Sequence, residues 1–400
     1  MGVRNALEIR NFAIAAATAA GLSMGIAPAI AQTDTAPPAG VLAIPGSSGA
    51  RAKVDFVTAK VKPLPMNRSF SREAFKKEVV TALDGDGSLD DTVLISRAST
   101  GDGKRAPGKP NVGKALAVGN ARFEREDSGR ANLPFSTARA DLAPAPTNTE
   151  WPYRAAGKLF FKEGNASYVC SASLIDRGLV VTAAHCVADY GKNKIYSDWK
   201  FIPGYRNGAA PFGVWTAAKA YVLAGYPAGT APCDDGVVCR DDIAILVLAT
   251  QKNTTDNKPF FAGDRTGWFS YAQGRAPFTK NGLTHITQIG YPVCLDNGNL
   301  MQRNDAQGAI SASNRDNTVF GSLMCGGSSG GPWLANFGVR PDLTDTIEGS
   351  FGKPNVVIGV TSWGASDKTV KQQGASPFLV GNIDFLVKAA CKDFPDACSQ

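Results

Sequence analysis

The chain predicts an all-β fold, and three observations carry that prediction. From Trp151 onward, short apolar or alternating runs are separated by Gly, Pro and Asn; hardly any long stretch keeps a helical period; and all eight cysteines fall between Cys170 and Cys398. Short apolar runs bounded by turn formers read as strands. Residues 159–161, 174–182, 243–248, 286–289 and 356–363 are therefore assigned as strands of a barrel or a pair of barrels. Ile383, Leu386 and Val387 recur at helical spacing within 382–390, which predicts a C-terminal helix.

The 400 residues, 44% hydrophobic and 19% charged, suffice for more than one buried core. Arg4 and Arg10 precede an apolar stretch from Phe12 to Ile26, followed by Ala29-Ile30-Ala31, the small-x-small form of a signal-peptidase site. Residues 1–31 read as an export signal. The stretch is shorter than the roughly 20 apolar residues of a membrane span and is interrupted by Gly21, Ser23 and Gly25. The expected location is secreted or periplasmic.

Residues 32–149 alternate Gly- and Pro-punctuated linkers, such as 101–110 and 143–146, with patches of structure. One helix is expected over 71–83, capped by Ser71 and apolar at Phe75, Val79 and Val80. Residues 84–90 superficially resemble a calcium loop. Aligning Gly87 with the loop glycine, however, puts Ala82 and Val93 where the first and last carboxylates belong, so a solvated acidic turn is the reading. The segment has the composition of a pro-region, and the folded unit is expected over 150–400. Formal charge is +7 overall, but 1–149 hold 19 Lys and Arg against 14 Asp and Glu, whereas 150–400 hold 23 against 21. A nearly neutral folded part argues against nucleic acid as a partner.

An even cysteine count in an exported chain reads as a disulfide framework. Order and proximity favour Cys170–Cys186, Cys233–Cys239, Cys294–Cys325 and Cys391–Cys398. A metal site would want C-x-x-C spacing with histidines nearby, and neither is present.

The chemistry centres on Cys325-Gly326-Gly327-Ser328-Ser329-Gly330-Gly331-Pro332. Glycines on both sides of a serine allow a tight turn that projects the hydroxyl and converges N–H groups on one point, as oxyanion binding requires. A serine hydroxyl also needs a base, and the base needs an orienting group. Of the two histidines, His185 follows an apolar run in Thr182-Ala183-Ala184-His185-Cys186, while His285 is explained by a surface strand position. Asp242, at the mouth of the apolar run 243–248, is the better placed carboxylate beside Asp241.

Taken in order, Thr182-Ala183-Ala184-His185-Cys186, Asp242-Ile243-Ala244-Ile245-Leu246, Gly327-Ser328-Ser329-Gly330-Gly331-Pro332 and Thr361-Ser362-Trp363-Gly364 resemble the chymotrypsin/trypsin-like serine proteases. The resemblance covers about residues 150–390. It implies two six-stranded antiparallel β-barrels with the active site between them, His185 as general base and acid, Asp242 as its orienter and Ser329 as nucleophile. It further implies an oxyanion hole from the Gly327 and Ser329 amides, and a strand-like substrate edge at Ser362, Trp363 and Gly364. Cys170 and Cys186 match the disulfide that brackets the family's histidine. No metal or cofactor is called for. The expected partners are polypeptide substrates and, as a candidate inhibitor, the chain's own pro-region; the expected state is a monomer.

Three departures bear on regulation and specificity. Ser328 replaces the family's aspartate, so a new N-terminal ammonium has no carboxylate to pair with, and maturation must take another route. Leu323 stands where trypsin has a pocket aspartate, and Thr361 where some glutamyl endopeptidases have a histidine. Both point to an apolar or small side chain before the cut. An α/β-hydrolase reading of G-x-S-x-G fails because no histidine follows residue 285. A subtilisin-like order of Asp242, His285 and Ser329 conflicts with the all-β texture. The remaining alternative is a protease-like fold turned binding or adhesion module, against which the full set of candidate residues argues.

Overall fold

In the computed structural model, described residues are 40–46, 54–67, 96–106, 127–128, 134–141, 146–274, 278, 282–311, 314–338, 352–367 and 370–399. The export-signal stretch, the helix expected over 71–83 and the acidic turn at 84–90 lie outside them.

Twelve strands form two closed rings. The first comprises β1 (Ala156–Glu163), β2 (Ala166–Leu174), β3 (Leu179–Thr182), β4 (Ser197–Pro203), β5 (Trp215–Leu223) and β6 (Ala244–Leu248). The second comprises β7 (Leu283–Gly290), β8 (Gln302–Ile310), β9 (Thr318–Gly321), β10 (Pro332–Ala335), β11 (Val356–Ala365) and β12 (Gln372–Pro377). Both follow one cyclic order, 1-2-3-6-5-4 in the first and 7-8-9-12-11-10 in the second, and every pairing around each ring is antiparallel. Closure removes exposed sheet edges and lets inward side chains fill the interior. In the first barrel that filling includes Phe161, Val180, Trp199, Phe201 and Leu246, each fully buried.

The run 174–182 is not one strand. Residues 175–178 turn the chain back between β2 and β3, because Ile175 N–H and Leu179 N–H close a tight loop with Leu179 and Asp176 carbonyls. Asp176-Arg177-Gly178, a polar pair followed by glycine, marks this turn inside the run read as one strand. β8 lacks the apolar alternation of a half-buried strand. Its inward positions include Gln302 and Asn304, and Asn304 accepts from Thr137 and donates to the Gly321 carbonyl at 2.9 Å, so polar residues stand where apolar ones are expected.

The C-terminal helix Ile383–Asp393 starts at Asn382, whose side chain accepts from the Ile383 amide and from the Leu379 amide. Ile383, Leu386 and Ala390 are buried on its inner face. Disulfides join Cys170–Cys186, Cys233–Cys239, Cys294–Cys325 and Cys391–Cys398.

Segments from the part read as linker and pro-region are built into both barrels. Val41–Pro45 pairs antiparallel with β5, and Phe135–Arg139 pairs antiparallel with β8 over its whole length. Lys60–Val61 and Met66–Asn67 pair parallel with β2 and β11.

Lys158 in β1 is 6% exposed, and its ammonium donates to the Gly298 carbonyl at 2.7 Å while lying 4.7 Å from the Tyr205 ring centre. Burial pushes its pKa down from 10.5 to about 7. Between those values the unfolded chain binds one more proton than the folded one, so stability rises with pH across the window. Urea titrations from about pH 7 to about pH 10 are expected to show a gain on the order of 1 kcal/mol per pH unit in the wild type and none in Lys158→Met. An unchanged slope in the variant would refute the buried-amine account.

Candidate active site

His185 sits in the single 3-10 turn Ala184–Cys186 that ends β3, clamped by the Cys170–Cys186 disulfide to β2. The Trp199 indole N–H donates to the Cys186 carbonyl at 3.1 Å from the barrel side. Asp242 lies just before β6, which pairs with β3, so strand pairing brings the two side chains together. The Asp242 carboxylate accepts the His185 backbone N–H at 2.8 Å on Oδ1 and faces Nδ1 at 2.7 Å with Oδ2, which also accepts the Ser362 hydroxyl at 2.6 Å. Asp242 is 1% exposed, and three donors satisfy it. The hydroxyl of Tyr226 lies close by, its pKa raised well above 10.0 by burial first and then by the Asp242 charge.

Across the cleft, the glycine loop reaches the first barrel. The Ser171 N–H donates to the Ser329 carbonyl at 2.8 Å, the Ser171 hydroxyl donates to the Gly327 carbonyl at 2.7 Å, and the Tyr291 N–H donates to that same hydroxyl at 2.9 Å. Gly327 and Gly330 have φ of 96° and 75°, in the left-handed region. A Cβ on Gly327 would overlap the Tyr291 carbonyl, and one on Gly330 would overlap the Thr182 hydroxyl, so only glycine fits either position. Among the described residues the amides of Gly327 and Ser329 donate to no acceptor, while those of Ser328, Gly330 and Gly331 are all used.

Ser329 Oγ and His185 Nε2 are both buried, and neither has a hydrogen-bond partner among the described residues, so they are not bonded to one another. The loop is nonetheless beside the histidine's turn, since Gly330 packs against Thr182 and against the Ala183 N–H, two residues before His185. Catalytic hydrogen bonds are often long without substrate and tighten when it binds. Cys170, His185 and Cys186 also cluster within 4.8 Å, but both sulfurs are spent in the disulfide and offer no thiolate to a metal.

A buried amide chain that sequence reading did not find stands behind the loop. Gln373 donates to the Ser328 hydroxyl at 3.2 Å and accepts from Gln288 at 2.6 Å. Gln288 also donates to the Thr361 hydroxyl at 2.7 Å and accepts from Ser322 at 3.0 Å, and the Trp333 indole donates to Thr361 at 3.0 Å. Ser328 donates onward to the Cys325 carbonyl at 2.7 Å. A neutral network therefore holds the position where the trypsin-like pattern has an aspartate. Two adjacent glutamines in Gln372-Gln373, opposite Gln288, were its only trace in the sequence.

The expected pocket residues divide. Leu323 is partly buried against the second barrel's core. The Thr361 side chain is committed to the interior network, that of Ser362 to Asp242, and the Trp363 indole donates to Asn317 at 2.9 Å beneath Gly374. Gly364 presents its backbone to the cleft, where its N–H donates to the Pro65 carbonyl at 2.9 Å. His285 is exposed on β7, apart from these groups.

The trypsin family model matches residues 144–378, more than half of the chain. The chain belongs to the trypsin family. Solved structures similar to this trypsin-family chain include the protease Anisep from Arthrobacter nicotinovorans, at 21% identity and TM-score 0.44, covering 60% of this chain and 94% of that one. A thermostable serine protease, AL20, from an extremophilic microorganism gives 20% identity and TM-score 0.47, covering 59% and 96%. A Glu endopeptidase gives 18% identity and TM-score 0.44, covering 63% and 95%. None of the curated proteins compared matches the chain.

Replacing Gln373 by Leu leaves the Ser328 hydroxyl oxygen without its donor and one N–H of the Gln288 amide without its acceptor in the core. Removing one partner of a buried polar pair costs about 1–3 kcal/mol, so the urea midpoint of Gln373→Leu is expected to fall accordingly. An unaltered midpoint would show that the network does not support the loop.

Proposed function

We propose that the protein is a secreted serine endopeptidase that cuts polypeptides through an acyl-enzyme, with Ser329 as nucleophile, His185 as general base and acid, and Asp242 as orienter. The observation that carries this reading is the buried Asp242–His185 pair, with Nδ1 committed at 2.7 Å and Nε2 left without a partner beside the Ser329 loop. Because Asp242 takes the Nδ1 proton's hydrogen bond, the neutral imidazole presents a lone pair at Nε2, the tautomer needed to accept the Ser329 proton. The second hydrogen bond, from His185 N–H to Oδ1, fixes the carboxylate against rotation.

In the reaction, Ser329 Oγ attacks the substrate carbonyl carbon as Nε2 takes its proton. The oxyanion that forms is met by the Gly327 and Ser329 amides, for which one donor is worth on the order of 3–4 kcal/mol. The imidazolium then protonates the leaving amine, and water repeats the sequence to release the acyl group.

Leu323 supports an apolar or small side chain before the cut, since a Lys or Arg would bury its charge without a partner. The four disulfides support an extracellular or periplasmic site of action. Among the described residues no helix is long and apolar enough to cross a membrane. The reading takes 1–31 as export signal, 32–149 as pro-region and 150–400 as the catalytic part, which acts as a monomer without metal or cofactor.

Fluorophosphonate is expected to label Ser329, with labelling lost in Ser329→Ala and His185→Ala; no labelling of the chain freed of residues 32–149 would instead support a binding module. Asp242→Asn should lower kcat by on the order of 10⁴ at nearly constant KM, the size of effect seen for the equivalent change in the type enzyme. A peptide panel should show cleavage after apolar or small residues, and preferred cleavage after Arg, Lys or Glu would overturn the pocket assignment.

A further inference from the structure

The peptide cleft already has an occupant. Residues 60–67 run from the first barrel to the second directly across the glycine loop. At the start, Lys60 and Val61 pair with Tyr168 and Val169 of β2, and the Lys62 N–H donates to the Val169 carbonyl at 3.1 Å. In the middle, the chain lies on Gly326, next to the proposed oxyanion hole. A Cβ on Gly326 would stand 3.1 Å from a Val61 methyl, 3.4 Å from the Lys62 carbonyl and 3.5 Å from the Leu64 nitrogen. At the end, the Gly364 N–H donates to the Pro65 carbonyl at 2.9 Å, and Met66 and Asn67 pair with Gly364 and Ala365.

We propose that residues 60–67 are an internal inhibitor strap, seated in the groove that polypeptide substrates must enter, with Leu64 as the side chain held at the specificity pocket's mouth. The proposal rests on the protease reading above and extends it from which residues react to what keeps substrate away from them. Leu64 is 6% exposed, and a Cβ on Gly364 would lie 2.8 Å from a Leu64 methyl, so the leucine fills the space that this glycine leaves open. The groove thereby takes a branched aliphatic side chain, the class that Leu323 also suggests for the residue before the cut.

Three features suit the segment to stay bound and uncut. Both of its pairings are parallel, whereas every pairing around the two barrels is antiparallel. Reversing a strand exchanges N–H and C=O along the groove and changes which atoms face the nucleophile. Pro63 and Pro65 flank Leu64, fixing φ near −65° and lowering the entropy lost on binding. They also make both the Lys62–Pro63 and Leu64–Pro65 amides tertiary, so a cut at either would have to expel a ring nitrogen. Finally, Lys62 anchors the strap. Its ammonium donates to Glu163 at 2.8 Å and to the Tyr196 hydroxyl at 2.6 Å, lies 3.7 Å from Asp189 and packs 4.4 Å from the Tyr196 ring centre.

The test uses the full chain in three forms: wild type, Leu64→Gly and Lys62→Met with Leu64→Gly. Hydrolysis of a fluorogenic peptide with leucine before the scissile bond is measured beside fluorophosphonate labelling of Ser329. The expected result is kcat/KM at least about 10-fold higher in the double variant than in wild type, an intermediate single variant, and competitive inhibition of the double variant by a synthetic peptide of residues 60–67. Equal kcat/KM in forms that all label at Ser329 would overturn the strap while leaving the protease reading intact. Absence of labelling in every form would overturn that reading and the strap's inhibitory role with it.

Discussion

The contact between the glycine loop of the second barrel and the end of β3 in the first is the constraint on which the site depends. Gly330 has no Cβ because the Thr182 hydroxyl and the Ser171 carbonyl occupy that space, and the Ser171 amide ties down the Ser329 carbonyl at 2.8 Å. Because these contacts lie at two strand ends, the separation of Ser329 and His185 is set by the packing of two closed barrels rather than by flexible side chains. Rigid elements hold a reactive geometry better than loops alone can. The disulfide beside His185 and the three donors on Asp242 extend the same rigidity to the His185 side chain.

The interior of the second barrel solves a problem created by Ser328. Where a buried carboxylate would need a buried cation, a hydroxyl needs only neutral partners, and Gln373 and Gln288 provide them in a chain that ends on Thr361 and Ser322. Neutral networks of this kind carry a much smaller desolvation cost than an ion pair. The loop's shape therefore does not wait on a newly cut N-terminus. On the protease reading, control is then exerted elsewhere, and the strap proposed over residues 60–67 supplies it.

The part of the chain preceding the barrels is also not simply appended. Phe135–Arg139 lies along β8, Val41–Pro45 along β5, and 60–67 bridge both barrels. They looked like linker because Pro and Gly punctuate the wider segment 32–149 in which they lie. Edge additions of two to five residues satisfy their hydrogen bonds against a barrel that is already complete, so they need no apolar period of their own.

What the sequence determined by itself was local. The glycines around Ser329, the apolar run before His185, the acid ahead of 243–248 and the spacing of the cysteines each reflect a requirement met within a few residues, such as a left-handed turn or a strand end. Strands whose inward faces are polar, β8 and β12, could not be read, because Asn304 and Gln373 are tolerated in the core only through partners far away in the chain. The turn at 175–178 was legible in Asp176-Arg177-Gly178 but was passed over because apolar residues flank it on both sides. Which carboxylate oxygen meets Nδ1, that Ser362 serves Asp242, and that residues 60–67 cross the glycine loop were decided only by tertiary structure. Each is a contact between groups more than 50 residues apart, and hydrogen bonding at that separation leaves no period in a sequence.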